Sequence, residues 1–250
     1  MTRGLNIVTV VEMENSGLVA ALFDLDGTLC NTHPLASSIV GYQFKNPARI
    51  SRAVNYIMTQ MTRLLFWKAG LLTYARFAQA GCHELARLLK GLDKSEVLSL
   101  FSKTAQKVVD TAREDMLTVL RWHQEEGHTV ILVSGCFQPF LKELANLLEI
   151  NHTVGTALEE VSDCYTGRLA GPFCHGDERA RLFRRFIKVS GFDVNFPSSY
   201  AYGDRVQDIP ILEMIGHPVV TYPDKELLTY ANERGWTVLG ASAGKHPKAG

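Results

Sequence analysis

Short apolar runs alternate with longer amphipathic segments over most of the chain. The runs predict strands and the amphipathic segments predict helices. Predicted strands cover residues 20–23, 128–134, 154–158, 165–169, 199–203, 218–222 and 236–239, with a polar turn joining the third and fourth; predicted helices cover residues 114–124, 138–148, 178–189, 207–215 and 225–234. This alternation is typical of an α/β fold with a parallel sheet and helices on both faces.

The stretch of chain between the first two of these strands has a different pattern. Residues 33–112 contain no convincing strand and show helical periodicity over residues 50–66, 71–89 and 97–109. Asp93 and Glu96 form a capping-box pattern before the last of these helices. We therefore expect an all-helical insertion in the core domain. The expected division is a leader at 1–17 (with an optional strand at 7–11), a core at 18–32 and 113–240, an insertion at 33–112 and a flexible tail at 241–250.

The richest apolar part of this insertion is residues 56–77. We expect most of its large side chains to be buried. The alternative is a lipophilic groove or a weak membrane-surface contact, because Arg63, Lys68 and Arg76 would flank the apolar residues.

Composition restricts the possible functions. Of 250 residues, 46% are hydrophobic, which is enough for a substantial core. Lysine plus arginine and aspartate plus glutamate each total 26, so the zero net charge argues against a nucleic-acid-binding protein. The five cysteines lack C-x-x-C spacing, which favours reduced thiols in a cytoplasmic protein over disulfides or a zinc site. No signal peptide or transmembrane span is expected, and the chain is expected to be a monomer or a homodimer.

The candidate chemistry begins where the first strand ends. Asp24 and Asp26 are two positions apart on a strand, so their side chains point to the same face. Two neighbouring carboxylates repel each other unless a cation lies between them or one of them acts in catalysis. Gly27 permits a close backbone approach and Thr28 adds a hydroxyl. A solvated acidic turn is the alternative.

Two further strands also end in polar residues. Ser134 and Gly135 follow one strand, where Ser134 could cap a helix or bind phosphate at a helix N-terminus. Asp204 and Asp208 follow another, where they could cap a helix or complete an oxygen-only magnesium site. Carboxylates, a metal site and a phosphate site together suit phosphoryl transfer through an aspartyl-phosphate intermediate, with Asp24 as nucleophile and Asp26 as general acid and base.

These motifs resemble those of the haloacid dehalogenase-like hydrolases, in the phosphoserine-phosphatase-like branch. The resemblance extends from about residue 20 to residue 239: residues 24–28 match the first motif, 133–137 the second and 203–208 the fourth, and residues 166–171, 222–224 and 234–236 also resemble this branch. It implies a Rossmann-like core and a helical cap that closes over the site. The implied catalytic residues are Asp24 and Asp26, the implied Mg²⁺ ligands are Asp24, Asp26, Asp204 and Asp208, and the implied phosphate-binding residues are Thr28, Ser134, Gly135 and Arg179.

The sequence departs from the family pattern in two places. The family's third motif has a lysine, whereas this chain has Arg179, which keeps the charge but has a planar guanidinium. A surface position for Arg179 is the alternative. Phosphoserine phosphatases also have an acidic residue eight or nine positions after the nucleophile. Thr32 and His33 occupy those positions here, which argues against phosphoserine as substrate.

The favoured function is therefore a magnesium-dependent phosphomonoesterase that acts on a small or lipid-like phosphate ester. A phosphoserine phosphatase proper and a catalytically weak sensor of a phosphate ligand are the alternatives. A carbon–halogen hydrolase is disfavoured because Asp26 is present.

Overall fold

The computed structural model describes residues 17–31 and 34–240. Thr32 and His33, most of the expected leader with its strand at 7–11, and the expected tail at 241–250 lie outside the described residues.

Six parallel strands form the main sheet, in the spatial order β3-β2-β1-β6-β7-β8. Their bounds are β1 Ala20–Phe23, β2 Thr129–Phe137, β3 His152–Thr156, β6 Tyr200–Gly203, β7 His217–Thr221 and β8 Thr237–Leu239. Two short strands, β4 Leu158–Val161 and β5 Cys164–Leu169, form a separate antiparallel hairpin. The predicted parallel sheet is confirmed, but the predicted strand at 154–158 is divided between β3 and β4.

The helices of the described residues are α1 Leu35–Gln43, α2 Pro47–Lys68, α3 Tyr74–Leu88, α4 Lys94–Asp110, α5 Glu114–Glu125, α6 Gln138–Leu147, α7 Asp177–Ser190, α8 Ile209–Leu212 and α9 Lys225–Arg234. Sequence analysis missed α1, whose buried positions Leu35, Ile39 and Gln43 form only a short stripe. Residues 207–215 were predicted as one helix, but they form part of a 3₁₀ turn, Val206–Asp208, followed by the short helix α8. None of the described helices is long and apolar enough to cross a membrane.

The predicted start of α4 is confirmed in part. The Asp93 carboxylate accepts a hydrogen bond from the backbone N–H of Ser95 at 2.8 Å. The Glu96 carboxylate instead accepts from the Tyr42 hydroxyl and lies 3.5 Å from Arg49. A contact with α1 and the start of α2 therefore replaces the second half of the capping box.

Alternate residues of the central strands face opposite sides of the sheet, as the strand period requires. Phe23 and Leu132 face a core that includes Leu120 of α5 and Phe140 of α6. Leu22 and Ile131 face a second core, which includes Phe183 of α7, Leu212 of α8 and Leu227 of α9. Helices thus cover both faces, as predicted, and the strand ends remain available for a site.

Residues 34–112, all of which the structure describes, contain α1 to α4 and no strand of the sheet. These helices share a hydrophobic core with the sheet, since Phe101 of α4 packs on Phe140 of α6 with ring centroids 5.9 Å apart. The division into separate domains stays a prediction.

The expected burial of residues 56–77 is wrong for the outer face of α2. Met58, Met61 and Leu65 are 59%, 57% and 67% exposed, and Ala53 is the buried residue of this helix. The reason is the packing geometry: α1 and α3 contact α2 but leave this apolar face open to solvent.

Candidate active site

Three carboxylates converge at the carboxyl ends of two neighbouring strands. Asp24 follows β1, Asp204 follows β6, and Asp208 ends the 3₁₀ turn after β6. Their nearest ligand atoms all lie within 4.8 Å of one another, and all three side chains are buried. The chain runs from β1 to β2 and β3 on one side and then continues at β6 on the other, so this is the switch point where parallel sheets bind ligands.

Two glycines permit this close approach. Gly27 has a φ of +82°, and a Cβ at this position would overlap the Asp204 carboxylate. A Cβ at Gly203 would lie 2.8 Å from Oδ2 of Asp208. Side chains at these positions would therefore occupy the space of two of the three carboxylates.

Asp208 holds the loop after β6 in place. Its Oδ2 accepts hydrogen bonds from the backbone N–H groups of Asp204 at 3.0 Å and Arg205 at 3.1 Å, and its Oδ1 accepts from Arg179. The capping role considered for Asp208 is therefore present. It positions Asp204, whose Oδ2 accepts from Arg205 at 3.3 Å.

Arg179 lies inside the cluster. It projects from the first turn of α7, is 6% exposed, and places Nη1 3.3 Å from Oδ1 of Asp24 as well as beside Asp208. Burial lowers the pKa of Arg179, but Asp24 and Asp208 raise it more, and the net shift is upward. The alternative of a surface position for Arg179 is wrong.

The carboxylates carry more negative charge than Arg179 offsets. Burial raises the pKa of Asp24 well above its ordinary value; Arg179 opposes this shift, and the other carboxylates add to it. Burial, followed by Asp208, raises the pKa of Asp204 to about 7. Oδ1 of Asp24 and Oδ1 of Asp204 are buried and accept no hydrogen bond. Clustered carboxylate oxygens that accept no hydrogen bond are suitable ligands for a hard divalent cation such as Mg²⁺.

A cavity of about 430 Å³ opens at the cluster, and Asp26 and Gly135 also line it. Larger open grooves exist elsewhere in the described part of the chain, but the cluster of Asp24, Asp204 and Asp208 lies at this cavity. The structure therefore brings Asp24, Asp26, Gly135, Arg179, Asp204 and Asp208 together around one space.

Two of the residues assigned to phosphate binding, Thr28 and Ser134, are buried and do not line this cavity. The Thr28 hydroxyl accepts a hydrogen bond from Thr221 at 3.1 Å. The Ser134 hydroxyl accepts from the backbone N–H of Cys136 at 3.3 Å. Ser134 lies within β2, and the N-cap of α6 is Phe137, so Ser134 does not cap that helix.

Tyr74, His175 and Arg205 also line the cavity and were not assigned to the site from the sequence. Arg205 donates from Nη1 to the Tyr74 hydroxyl at 3.3 Å, and the rings of Tyr74 and His175 lie 6.0 Å apart. The position of Arg205 inside the fourth motif was a usable signal. No comparable signal marks Tyr74, because only the docked position of α3 shows which of its faces meets the core.

Arginines of the insertion such as Arg49, Arg52 and Arg63 do not line this cavity. Arg49 pairs with Glu96 at 3.5 Å and Arg63 with Glu84 at 3.4 Å. Arg52 donates to the backbone carbonyl of Lys90. The positive charges that line the cavity among the described residues are those of Arg179 and Arg205, with His175 as a further titratable group.

The family model for haloacid dehalogenase-like hydrolases matches residues 21–213. A protein of Mycobacterium tuberculosis named phosphoserine phosphatase is 26% identical over 224 residues, which is 88% of this chain and 70% of that protein. A histidinol-phosphatase of Neisseria meningitidis is 26% identical over 223 residues, 88% of this chain and 97% of that protein. A crystal structure of a Bordetella pertussis protein of unknown function has a similar fold. It gives a TM-score of 0.74 at 22% identity and covers 89% of this chain and 98% of that one.

Proposed function

The chain belongs to the haloacid dehalogenase-like hydrolases, and we propose that it is a magnesium-dependent phosphomonoesterase that works through an aspartyl-phosphate intermediate. One observation carries this proposal: carboxylate oxygens of Asp24, Asp204 and Asp208 lie within 4.8 Å of one another at the strand ends, and Arg179 lies 3.3 Å from Asp24. That arrangement offers a nucleophile, cation ligands and a positive charge in one cavity.

In the proposed reaction, a carboxylate oxygen of Asp24 attacks the phosphorus atom and forms an acyl phosphate. The bond from phosphorus to the ester oxygen breaks, and the Asp26 carboxyl donates its proton to the departing alkoxide. Water then attacks the phosphorus of the acyl phosphate and gives its proton to Asp26, which releases inorganic phosphate and restores Asp24. Both carboxylates border the same cavity, which is consistent with these roles.

The proposed Mg²⁺ ligands are Asp24, Asp204 and the main-chain carbonyl of Asp26, with Asp208 supporting them. When bound, Mg²⁺ offsets the repulsion between the attacking carboxylate and the phosphate dianion. Arg179 supplies a fixed positive charge beside Asp24, where the family has a lysine. Gly135, which lines the cavity, completes the proposed phosphate-binding set with Arg179. Ser134 and Thr28 also belong to the proposed set, but in this structure they are buried and do not line the cavity.

Relatives are named for different substrates, phosphoserine in one case and histidinol phosphate in another. Both names describe phosphate esters of small alcohols, so we propose a small or lipid-like phosphate ester as the substrate of this chain. We also propose a cytoplasmic location, supported by the cysteine pattern, and a monomeric or homodimeric state.

The test is hydrolysis of para-nitrophenyl phosphate and a panel of phosphomonoesters, with and without Mg²⁺. We expect magnesium-dependent turnover that Asp24→Asn abolishes and Asp110→Asn retains, because Asp110, at the end of α4, is exposed and does not line the cavity. Turnover that survives in Asp24→Asn would refute the assignment of the nucleophile. If phosphate raises the melting temperature but no ester is hydrolysed, the chain is a phosphate sensor instead.

A further inference from the structure

The residues that line the cavity fall into two chemical groups. The charged side chains of the core form the first group: Asp24, Asp26, Arg179, Asp204, Arg205 and Asp208. The second group forms an uncharged wall: Leu35 of α1, four residues of α3 (Tyr74, Ala78, Cys82 and Leu85), Phe137 and Phe173. A phosphate ester that places its phosphoryl group among the charged side chains must place its alcohol against this uncharged wall.

One face of α3 forms most of this wall. Residues 74, 78, 82 and 85 recur at intervals of four and three and therefore lie on one side of the helix. All four line the cavity, whereas the charged residues of α3, such as Arg76 and Glu84, do not. Glu84 is already paired with Arg63 and Arg87. The described part of the insertion thus supplies no charge to this wall.

The titratable groups of this wall are also uncharged at neutral pH. Burial raises the pKa of the Cys82 thiol to about 12 and also raises the pKa of the Tyr74 hydroxyl. Burial, with Arg179, lowers the pKa of His175. The His175 ring stacks on Phe173 with centroids 5.2 Å apart, so it adds a flat aromatic surface.

The wall is tied to the charged group of side chains. Arg205 donates from Nη1 to the Tyr74 hydroxyl at 3.3 Å and from Nε to Asp204 at 3.3 Å. One guanidinium therefore links α3 to a carboxylate of the cluster. This bridge holds α3 close to the cluster, and the cavity of about 430 Å³ therefore limits the size of the alcohol.

We propose that the alcohol released by this enzyme is short, uncharged and largely apolar or aromatic, and that the 74/78/82/85 face of α3 selects it. An ammonium group at this wall would lose its hydration and find no carboxylate of the insertion to replace it. Amino alcohols and amino acids such as serine are therefore rejected. The proposal rests on the phosphomonoesterase function proposed above and names the substrate class of that site.

Two series of substrates test it in the native enzyme. Ethyl phosphate and phosphoethanolamine differ only by an ammonium group, and we expect kcat/KM to be at least about 100-fold higher for ethyl phosphate, since unpaired charges are costly to bury. From ethyl to butyl phosphate, kcat/KM should rise about fourfold per methylene, the value of one buried methylene. Equal or greater kcat/KM for phosphoethanolamine, with turnover that still requires Asp24, would overturn the substrate class but not the phosphatase function. Absence of Asp24-dependent turnover on every ester would overturn both.

A pair of variants tests the role of α3. Ala78→Asp places a carboxylate on the wall and should raise the phosphoethanolamine to ethyl phosphate ratio of kcat/KM at least about tenfold. Ala75→Asp makes the same change on the exposed side of the same helix and should leave the ratio as in the native enzyme. Similar ratios in both variants, with native circular dichroism, would refute the role of α3. The comparison of substrates in the native enzyme holds even if Ala78→Asp fails to fold.

Discussion

Replacing Gly27 with alanine is expected to disable the carboxylate cluster. The substitution has two separate effects. It places a side chain on a residue whose φ is +82°, and it brings a Cβ into the space of the Asp204 carboxylate. The first effect acts on the free energy of unfolding, and the second acts on the geometry of the site.

The structure sets the size of both effects. An L-residue in the left-handed region costs about 1–2 kcal/mol in the free energy of unfolding. The Asp204 carboxylate oxygen that would lie 1.9 Å from the new Cβ must move by about 1.5 Å to reach the 3.4 Å of an ordinary contact, and a displacement of even about 1 Å can cost about 100-fold in rate. Because Asp208 and Arg205 hold Asp204 in place, the displacement also strains the loop that follows β6.

Gly127→Ala is the matched control. Gly127 has a φ of +73°, and an added Cβ there meets nothing within 4 Å. In urea denaturation, Gly127→Ala should lose only the free energy of unfolding that the positive φ costs, about 1–2 kcal/mol, and Gly27→Ala should lose that amount plus the cost of the displaced loop. Only Gly27→Ala should lose about 100-fold in kcat/KM for para-nitrophenyl phosphate, together with the rise in melting temperature that Mg²⁺ produces in the native protein.

Two results would refute this reasoning. One is an equal loss of activity in both variants, which would mean that backbone strain alone explains the effect. The other is a Gly27→Ala protein with native activity and a native response to Mg²⁺, which would mean that Gly27 does not lie against Asp204 as described. The magnesium response keeps the test valid even if para-nitrophenyl phosphate is a poor substrate.

The other predictions concern a buried charge, a buried histidine and an exposed helix face. Without Mg²⁺, Arg179→Met should lower the free energy of unfolding by about 3–5 kcal/mol, because it leaves buried carboxylates unpaired. With Mg²⁺ the loss should be smaller, and equal losses in both conditions would argue against a shared cation site. Burial, and then His128, lowers the pKa of His123 to about 4, so the unfolded chain binds a proton that the folded chain does not, and stability falls as the pH drops from about 6.5 toward 4. Urea denaturation at pH 7.5 and at pH 5 should show that the native protein loses about 2 kcal/mol more than His123→Gln between the two pH values. The variant serves as the control because it keeps the carboxylates, whose raised pKa values change stability with pH in the opposite direction. Met61→Asp and Leu65→Asp should each change the free energy of unfolding by less than about 0.5 kcal/mol, because both side chains are more than half exposed. A loss above about 2 kcal/mol that depends on protein concentration would instead show that this face of α2 is covered in an oligomer.

The histidine prediction depends on contacts that the sequence does not announce. Nδ1 of His123 lies 2.7 Å from Nδ1 of His128, and Nε2 of His123 lies 2.8 Å from the Tyr202 hydroxyl. His123 and His128 belong to the end of α5 and the turn after it, but Tyr202 comes from β6. Helical periodicity places His123 on the buried side of α5 and gives no indication of its partners.

The sequence alone determined the elements that carry the chemistry. Apolar runs that end in Asp24 and in Gly203-Asp204 predicted two parallel strands with acidic carboxyl ends, and both strands are present and adjacent. This prediction succeeded because strand periodicity is local and because parallel strands place their carboxyl ends at one edge of the sheet. The family resemblance then predicted the haloacid dehalogenase-like fold, which the family match confirms.

Tertiary structure decided which surfaces meet at that edge. It placed Arg179 between Asp24 and Asp208, turned the 74/78/82/85 face of α3 toward the cavity, and left Met58, Met61 and Leu65 of α2 exposed. The apolar periodicity of α2 and that of α3 look alike in the sequence, because each records only that one side of a helix is apolar. Which of these sides is buried depends on contacts between residues far apart in the chain, and those contacts exist only after the helices have packed on the sheet.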